Sequence, residues 1–235
     1  MLLALALLTS VALGGCDNVD PGPSEEQPLI RWGDTPEQPS SSERGNVMIN
    51  EIHFAGSVRD DGTHDPDDIF IELLNKQPRM TNVSGWRLNI GGDYQKSYRI
   101  PAHANPITPN GYFVIAKKRD GAFADIADVF IEDLDIGRRN IYIELRDFDN
   151  RLMESAGNTE QQAFCGGYDL VTARSMERVQ VLFGNRGEAS RNWHTYSDDV
   201  GFPTINEGWR LNTLASPGAA NSPDYSGSTT SGTFE

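Results

Sequence analysis

Short segments in which apolar and polar side chains alternate constrain the fold of this chain more than any other feature. From residue 141 to 145, Ile141, Ile143 and Leu145 alternate with Tyr142 and Glu144. The same period of two runs through residues 69–74 and 86–90. Alternation of this kind is typical of a β-strand with one buried face. The sequence therefore predicts half-buried strands at these three places.

Other short apolar segments add further predicted strands, with turn signals between them. The additional segments are NVMINEIHF, GYFVIA, DVFIE, RVQVLF and the GWRLN at 208–212. Turns are indicated by Asp61-Gly62, Gly91-Gly92-Asp93, Pro109-Asn110-Gly111 and Asp149-Asn150. Since no segment has a long helical period, the predicted fold class is all-β, an antiparallel sandwich or barrel.

The N-terminal apolar run, residues 2–13, is too short for a membrane-spanning helix, which needs about 20 apolar residues. It fits the apolar region of a secretory signal peptide. The end of the run, LGGC at 13–16, resembles the lipobox of bacterial lipoproteins. That resemblance implies cleavage before Cys16 and attachment of a lipid to its thiol, although no Lys or Arg precedes the apolar run. The alternative is a buried N-terminal strand with an incidental cysteine.

Composition divides the chain into four parts. Residues 1–15 are the expected signal peptide, and residues 16–45 are the expected lipidated cysteine and linker, rich in Pro, Ser, Glu and Asp. As a flexible coil, that linker would span on the order of 30 Å. Residues 46–222 are the expected folded domain, and residues 223–235 are a Gly/Ser/Thr-rich tail that we expect to be frayed.

The chain is strongly acidic, with a formal net charge of −14 at pH 7. Such a surface repels phosphate backbones, and the basic cluster Lys117-Lys118-Arg119 is followed at once by Asp120. Direct binding of nucleic acid is therefore disfavoured. The chain has two cysteines, so if Cys16 is acylated, Cys165 cannot form an intramolecular disulfide. We expect Cys165 to be a small packed side chain.

Six ordered motifs between residues 47 and 222 resemble the lamin tail domain as it occurs in exported bacterial proteins. The motifs are VMINEIHF, DDIFIELLN, TNVSGWRLN, YRIP, ITPNGYFVIA and ASPGAANS. SMERV and the later NW resemble two further elements of the family pattern. The sequence departs from that pattern at Val83-Ser84, where leucine-serine is usual, and in the long segment 151–172. The resemblance implies an immunoglobulin-like β-sandwich and a role in recognition.

Catalytic patterns are missing from the sequence. Its four histidines, at positions 53, 64, 103 and 194, have neither metal-ligand spacing nor an H-E-x-x-H motif. There is no G-x-S-x-G motif, no phosphate-binding glycine loop and no zinc cysteine pair. Glu51 and Glu72 lie inside predicted strands, where they could accept hydrogen bonds or act as a paired acid and base. Trp86 is expected in the core.

The loop RDDGTHDPDD, residues 59–68, is the candidate cation site. Hard cations such as Ca²⁺ bind carboxylate and carbonyl oxygens on flexible loops. The expected ligands are Asp61, Asp65, Asp67 and Asp68, with Gly62 supplying the turn. The spacing is not that of an EF-hand, and a solvated acidic turn is the alternative.

The expected function is a non-enzymatic binding or assembly module, anchored to a membrane by lipid on the extracytoplasmic side. Its expected partner is a protein or glycan of the cell envelope or extracellular space. The alternative function is a Ca²⁺-dependent carbohydrate-binding domain. The aromatic residues considered for sugar contact are Trp193, Tyr196, Trp209 and Tyr225.

Overall fold

The computed structural model of the chain describes residues 44–93, 95–159, 162–179 and 186–225. The expected signal peptide, Cys16, nearly all of the linker and most of the C-terminal tail lie outside these residues. Among the described residues, no helix is both long and apolar enough to cross a membrane.

The described residues form an all-β structure with one short 3₁₀ helix, Ser190–Asn192. The strands are β1 (Val47–His53), β2 (Ser57–Val58), β3 (His64–Asp65), β4 (Phe70–Asn75), β5 (Arg87–Gly92), β6 (Lys96–Arg99), β7 (Tyr112–Ala116), β8 (Val129–Phe130), β9 (Ile141–Arg146), β10 (Leu152–Gly157), β11 (Gly167–Tyr168), β12 (Ala173–Arg174), β13 (Met176–Arg178), β14 (Trp193–Thr195) and β15 (Thr213–Leu214).

Two sheets make a β-sandwich, which confirms the predicted fold class. The larger sheet has the strand order β14-β13-β1-β4-β7-β8, and the smaller has the order β10-β9-β5-β6. Their facing side chains share one apolar core, to which both sheets contribute. Almost all neighbouring strands are antiparallel, but β7 with β8 and β12 with β15 run parallel.

The predicted half-buried strands are confirmed for β5 and β9, where buried and partly exposed residues alternate. In contrast, β1 and β4 are buried on both faces. Their outer face is covered in part by a second apolar cluster that includes Phe70, Phe123 and Ile205. The larger sheet is therefore the middle layer of the molecule at these strands.

A β-bulge at Asn50 changes the phase of β1. Ile49 pairs with Leu73 and Glu51 pairs with Glu72, so Asn50 is the extra residue between the two pairs. After the bulge, Ile52 lies in the main core, while Glu51 faces outward beside Glu72. A strand of unbroken alternation would have placed the Glu51 carboxylate in the apolar core.

The GWRLN segment at 208–212 is not the strand that its pattern predicts. The segment forms turns, and β15 begins only at Thr213. Gly208 has a φ of +88°, and the carbonyl of Trp209 accepts hydrogen bonds from the N–H groups of Asn212 and Thr213. These local bonds curl the chain where a strand would be extended.

Candidate functional site

The four aspartates predicted as calcium ligands do not form a ligand set in the structure. Among the residues that the structure describes, no group of three or more His, Cys, Asp or Glu side chains is placed to hold a metal ion. The acidic segment is also not a simple loop, because β3 lies within it and pairs with β2, which directly precedes the segment, as a short hairpin.

Asp65 and Asp67 are paired with the basic cluster that follows β7. The Lys118 ammonium donates to the Asp65 carboxylate. The Lys117 Nζ donates to Asp67 Oδ1 at 3.0 Å, and Arg138 lies at 4.0 Å from the same oxygen. Lys117 and Lys118 thus neutralise two of the aspartates of the acidic segment. The fold brings together an acidic and a basic cluster that are about fifty residues apart in sequence.

Asp61 and Asp68 have different surroundings. Asp61 is exposed, and its carboxylate accepts a hydrogen bond from the N–H of Thr63 at 2.9 Å. Asp68 is completely buried and accepts hydrogen bonds from the Ser57 hydroxyl and, at 2.6 Å, from the N–H of Ala122. Burial raises the pKa of Asp68. The two aspartates therefore lie in different environments, one exposed and the other enclosed.

Three buried glutamates form a row across the larger sheet, which we call the glutamate row. Glu177 of β13, Glu51 of β1 and Glu72 of β4 are direct cross-strand partners. His194 of β14 continues the row, with its Nε2 at 3.8 Å from a Glu177 carboxylate oxygen. All three glutamates are fully buried.

Residues 216–222, the closing segment, lie over the glutamate row and satisfy its carboxylates. The backbone N–H groups donate as follows: Ser216 to Glu51 at 2.9 Å, Gly218 to Glu72 at 2.6 Å and Ser222 to Glu177 at 3.1 Å. The hydroxyls of Ser216 and Ser222 also donate to Glu177. The Asn221 side chain donates to the carbonyl of Arg178 at 2.7 Å. The glutamate row therefore holds the closing segment against the larger sheet.

The acid groups of the glutamate row have raised pKa values. Burial raises the pKa of Glu72 to about 8, although Asn50 and Gly218 both donate to its carboxyl group. The pKa of Glu51 is also raised, first by burial and then by the charge of Glu177. Perturbed pKa values often mark active sites, but structural networks produce them as well. Here the carboxyl groups are enclosed by the closing segment, so their geometry serves hydrogen bonding.

The aromatic residues considered for sugar contact do not form one platform. Trp193 and Tyr196 are buried, and each donates a hydrogen bond to a backbone carbonyl. Trp209 is half-buried, with the Arg59 guanidinium at 4.2 Å from its ring centre. Tyr225 is exposed. Trp86 is buried in the main core, as predicted.

Cys165 packs against the main core, as expected from the sequence. Burial raises the pKa of its thiol to about 12. A thiol with a raised pKa has little reactive thiolate near neutral pH. This environment is that of a packed side chain.

The outer face of the smaller sheet has a row of three arginines that sequence reasoning missed. Arg146 of β9 pairs with Arg87 of β5, which pairs with Arg99 of β6. Arg146 is neutralised, since its Nε donates to Glu144 at 2.8 Å. The signal in the sequence was the position of Arg87 and Arg99, each directly beside a core residue. Both side chains therefore face outward on the paired strands β5 and β6.

Arg87 and Arg99 line a surface cleft of about 390 Å³, which we call the arginine cleft. Its other lining residues are Phe148, Asp149 and Asn150, at the tip of the β9–β10 hairpin. Neither the Arg87 nor the Arg99 guanidinium forms a hydrogen bond or ion pair with another described residue, and both side chains are half-buried. This arrangement presents two cationic forks to solvent in a concave site.

Cys16, the predicted lipidation site, lies outside the described residues, so its modification stays a prediction. No protein-family model matches the chain, and no curated protein matches it either. The structure itself must therefore supply the support for any functional proposal.

Proposed function

We propose that this protein is a non-enzymatic, membrane-anchored binding module of the cell envelope. In this proposal, Cys16 holds the lipid, residues 17–45 are the tether and the β-sandwich is the recognition domain. The observation that carries the binding role is the arginine cleft, an open concave site with two guanidinium groups that no described residue neutralises, on a chain of net charge −14. Such a site selects a ligand against the repulsion of the rest of the surface.

The proposal includes membership of the lamin tail domains and an immunoglobulin-like arrangement of the sandwich. Its support is the way in which the motifs fit together. Glu51 of VMINEIHF accepts a hydrogen bond from Ser216 of ASPGAANS. Glu72 of DDIFIELLN accepts one from Gly218 of the same motif. Motifs that are far apart in sequence thus act as one structural unit.

A non-enzymatic role is supported by the surroundings of the perturbed side chains. The glutamates with raised pKa are enclosed, and Cys165 is a packed thiol. The alternative of a Ca²⁺-dependent carbohydrate-binding domain has no specific observation in its favour, because Asp65 and Asp67 are neutralised by lysines.

The anchor is tested by detergent phase partitioning of the full chain expressed in bacteria. We expect the wild-type protein in the detergent phase and Cys16→Ala in the aqueous phase or unprocessed. Cys165→Ala is the matched control and should partition like wild type. A Cys16→Ala protein that enters the detergent phase as wild type does would refute lipidation.

The binding role is tested with the Cys16→Ala protein and envelope material from which lipids have been extracted. We expect saturable cosedimentation, which is lost when the protein is heat-unfolded. Absence of saturable cosedimentation at low and physiological salt would refute the proposed binding function.

A further inference from the structure

We propose that the arginine cleft binds the carboxylate of an acidic sugar unit, as found in a uronic-acid polysaccharide. This inference rests on the proposed binding function and names the ligand class of its site. The cleft combines two arginines, which can bind a carboxylate, with one exposed aromatic ring and one exposed amide side chain, which can contact a sugar ring. Its remaining lining residue, Asp149, is paired with Arg151 at 3.0 Å.

The two arginines are forced together by the sheet. Arg87 and Arg99 are direct cross-strand partners, so their Cβ atoms are about 5 Å apart. Like charges at this position repel and destabilise a sheet. A bound anion removes that repulsion. The neighbouring Arg146 shows the alternative, because Glu144 neutralises it within the protein.

The charge pattern of the site favours a single carboxylate. Guanidinium groups bind carboxylates through two parallel N–H···O bonds. Asn89, the next outward residue of β5 after Arg87, accepts from Ser97 and donates to Glu144 at 3.3 Å. The neighbouring outward residue is therefore already satisfied, so that on this part of the sheet the donors without a described partner are those of Arg87 and Arg99. Such a spot fits an isolated anionic group.

The hairpin tip supplies a wall of fixed geometry for the sugar ring. Asp147 is buried, and its carboxylate accepts from the backbone N–H and the Nε of Arg151, both at 2.8 Å. The N–H of Asn150 donates to the Asp147 carbonyl at 2.9 Å. These bonds position Phe148, whose ring is 40% exposed, at the cleft. Aromatic rings pack against the apolar C–H face of a pyranose.

Closely spaced polyanions fit this surface less well. The chain has a net charge of −14, and Asp149 lies at the rim of the cleft. A nucleic acid or an anionic bilayer brings many charges against that acidic surface. A double-stranded nucleic acid carries one charge per about 1.7 Å of helix axis, whereas a uronic-acid oligomer brings one carboxylate for each sugar ring, which is a wider spacing, with neutral hydroxyls between. The observations therefore favour the sugar polymer over the other two classes.

The test measures binding of a defined galacturonate oligomer to the full-length protein in detergent micelles by isothermal titration calorimetry. The comparison probes are the methyl ester of the same oligomer, a sulfated glucan and vesicles of anionic phospholipid. We expect binding of the oligomer, weaker binding at high salt and no binding of the neutral methyl ester.

Three variants assign that binding to the cleft. Arg87→Gln and Arg99→Gln should each weaken binding about tenfold or more, since a hydrogen bond to a charged group contributes about 1.5–3 kcal/mol. Arg191→Gln removes an exposed arginine of the 3₁₀ helix and should bind as wild type does. Melting temperature checks folding, and the methyl ester comparison tests the proposal on the unaltered protein.

The inference is overturned if the ester binds as well as the acid, or if the two glutamine variants retain full affinity. Preferential binding of the sulfated glucan or of the vesicles would also overturn it and assign another ligand class. If the oligomer does not bind but envelope material still cosediments, the ligand class is wrong while the binding module stands. Loss of both would refute the proposed function as well.

Discussion

Glu51 and Glu72 lie directly opposite each other on β1 and β4, and both side chains are completely buried. Two ionised carboxylates in this position would repel each other strongly in a medium of low polarity. The fold answers with hydrogen-bond donors from the closing segment and with raised pKa values. The pair therefore couples proton binding to the attachment of the last described segment of the domain.

The first prediction concerns the pH dependence of stability. The pKa of Glu72 rises from an ordinary value of 4.5 to about 8 on folding. Between these two pH values the folded state binds more protons than the unfolded state. The contribution of Glu72 to stability therefore falls as the pH rises from 4.5 to 8. Urea unfolding should give a decreasing free energy of unfolding from pH 6.5 to 9.

The variant Glu72→Gln separates this effect from other titrations. Its amide has one acceptor oxygen, so the variant loses the bond to Asn50 or Gly218 and is less stable than wild type at pH 6.5. Its stability should depend less on pH up to 9. Glu132→Gln, at an exposed position, should keep the wild-type slope. A wild-type stability that increases across this range would contradict the prediction.

The second prediction concerns the acid limb of the stability profile. Burial lowers the pKa of His53 from 6.5 to about 4, and the ring is stacked on Phe70. The unfolded state then takes up a proton first, so the contribution of His53 to stability falls as the pH decreases from 6.5 to 4. The shift corresponds to on the order of 3 kcal/mol.

The variant His53→Phe isolates this contribution. It loses the hydrogen bond to the Gly56 carbonyl but has no imidazole to titrate. The free energy of unfolding of wild type minus that of the variant should therefore decrease as the pH falls from 6.5 to 4. A difference that stays constant over this range would show that His53 is not the buried neutral group.

The third prediction concerns the main core. Trp86 is 2% exposed, so Trp86→Ala should lower the free energy of unfolding by about 3 to 5 kcal/mol in urea. Trp209→Ala is the matched control. Because Trp209 is only half-buried, its removal should lower the free energy of unfolding by less. Equal costs for the two variants, or normal stability of Trp86→Ala with lost ligand binding, would contradict the assignment of Trp86 to the core.

The fourth prediction concerns calcium. A cation bound only by the folded state stabilises it by about 2.7 kcal/mol at a hundredfold excess over Kd. Lys118 and Lys117 neutralise Asp65 and Asp67, so we expect the same melting temperature in millimolar Ca²⁺ and in chelator. The double variant Asp65→Asn, Asp67→Asn should also show no calcium effect. A calcium-induced rise in melting temperature that this variant abolishes would contradict this expectation and support the calcium site predicted from the sequence.

Much of the sandwich follows from local pattern. The alternation in β5 and β9 predicted half-buried strands, and the structure confirms it. The turn at Asn110 was also predicted, and its φ of +56° is one that asparagine tolerates. Alternation and turn chemistry depend on neighbouring residues, so they can be predicted without knowledge of distant contacts.

The change of phase in β1 could not be predicted in this way. The same holds for the turns at 208–212, where the pattern predicted a strand. The bulge at Asn50 depends on the pairing of β1 with β4 and on the Asn50 side-chain amide, which donates to Glu72 of β4 and to the Asn221 side-chain oxygen of the closing segment. In the same manner, the turns at 208–212 depend on backbone bonds that compete with strand pairing. In both places, hydrogen bonds selected by the fold override the alternation of the side chains.

The sequence by itself determined the half-buried strands β5 and β9, the turn at Asn110 and the acidic character of the chain. The tertiary structure decided what the charged residues do. It enclosed Glu51 and Glu72 beneath the closing segment. It also paired two aspartates of the acidic segment with Lys117 and Lys118. Finally, it placed Arg87 beside Arg99. Strand and turn preferences arise from short-range sterics and burial, whereas the energy of a charge depends on every group that the fold brings within a few ångströms of it.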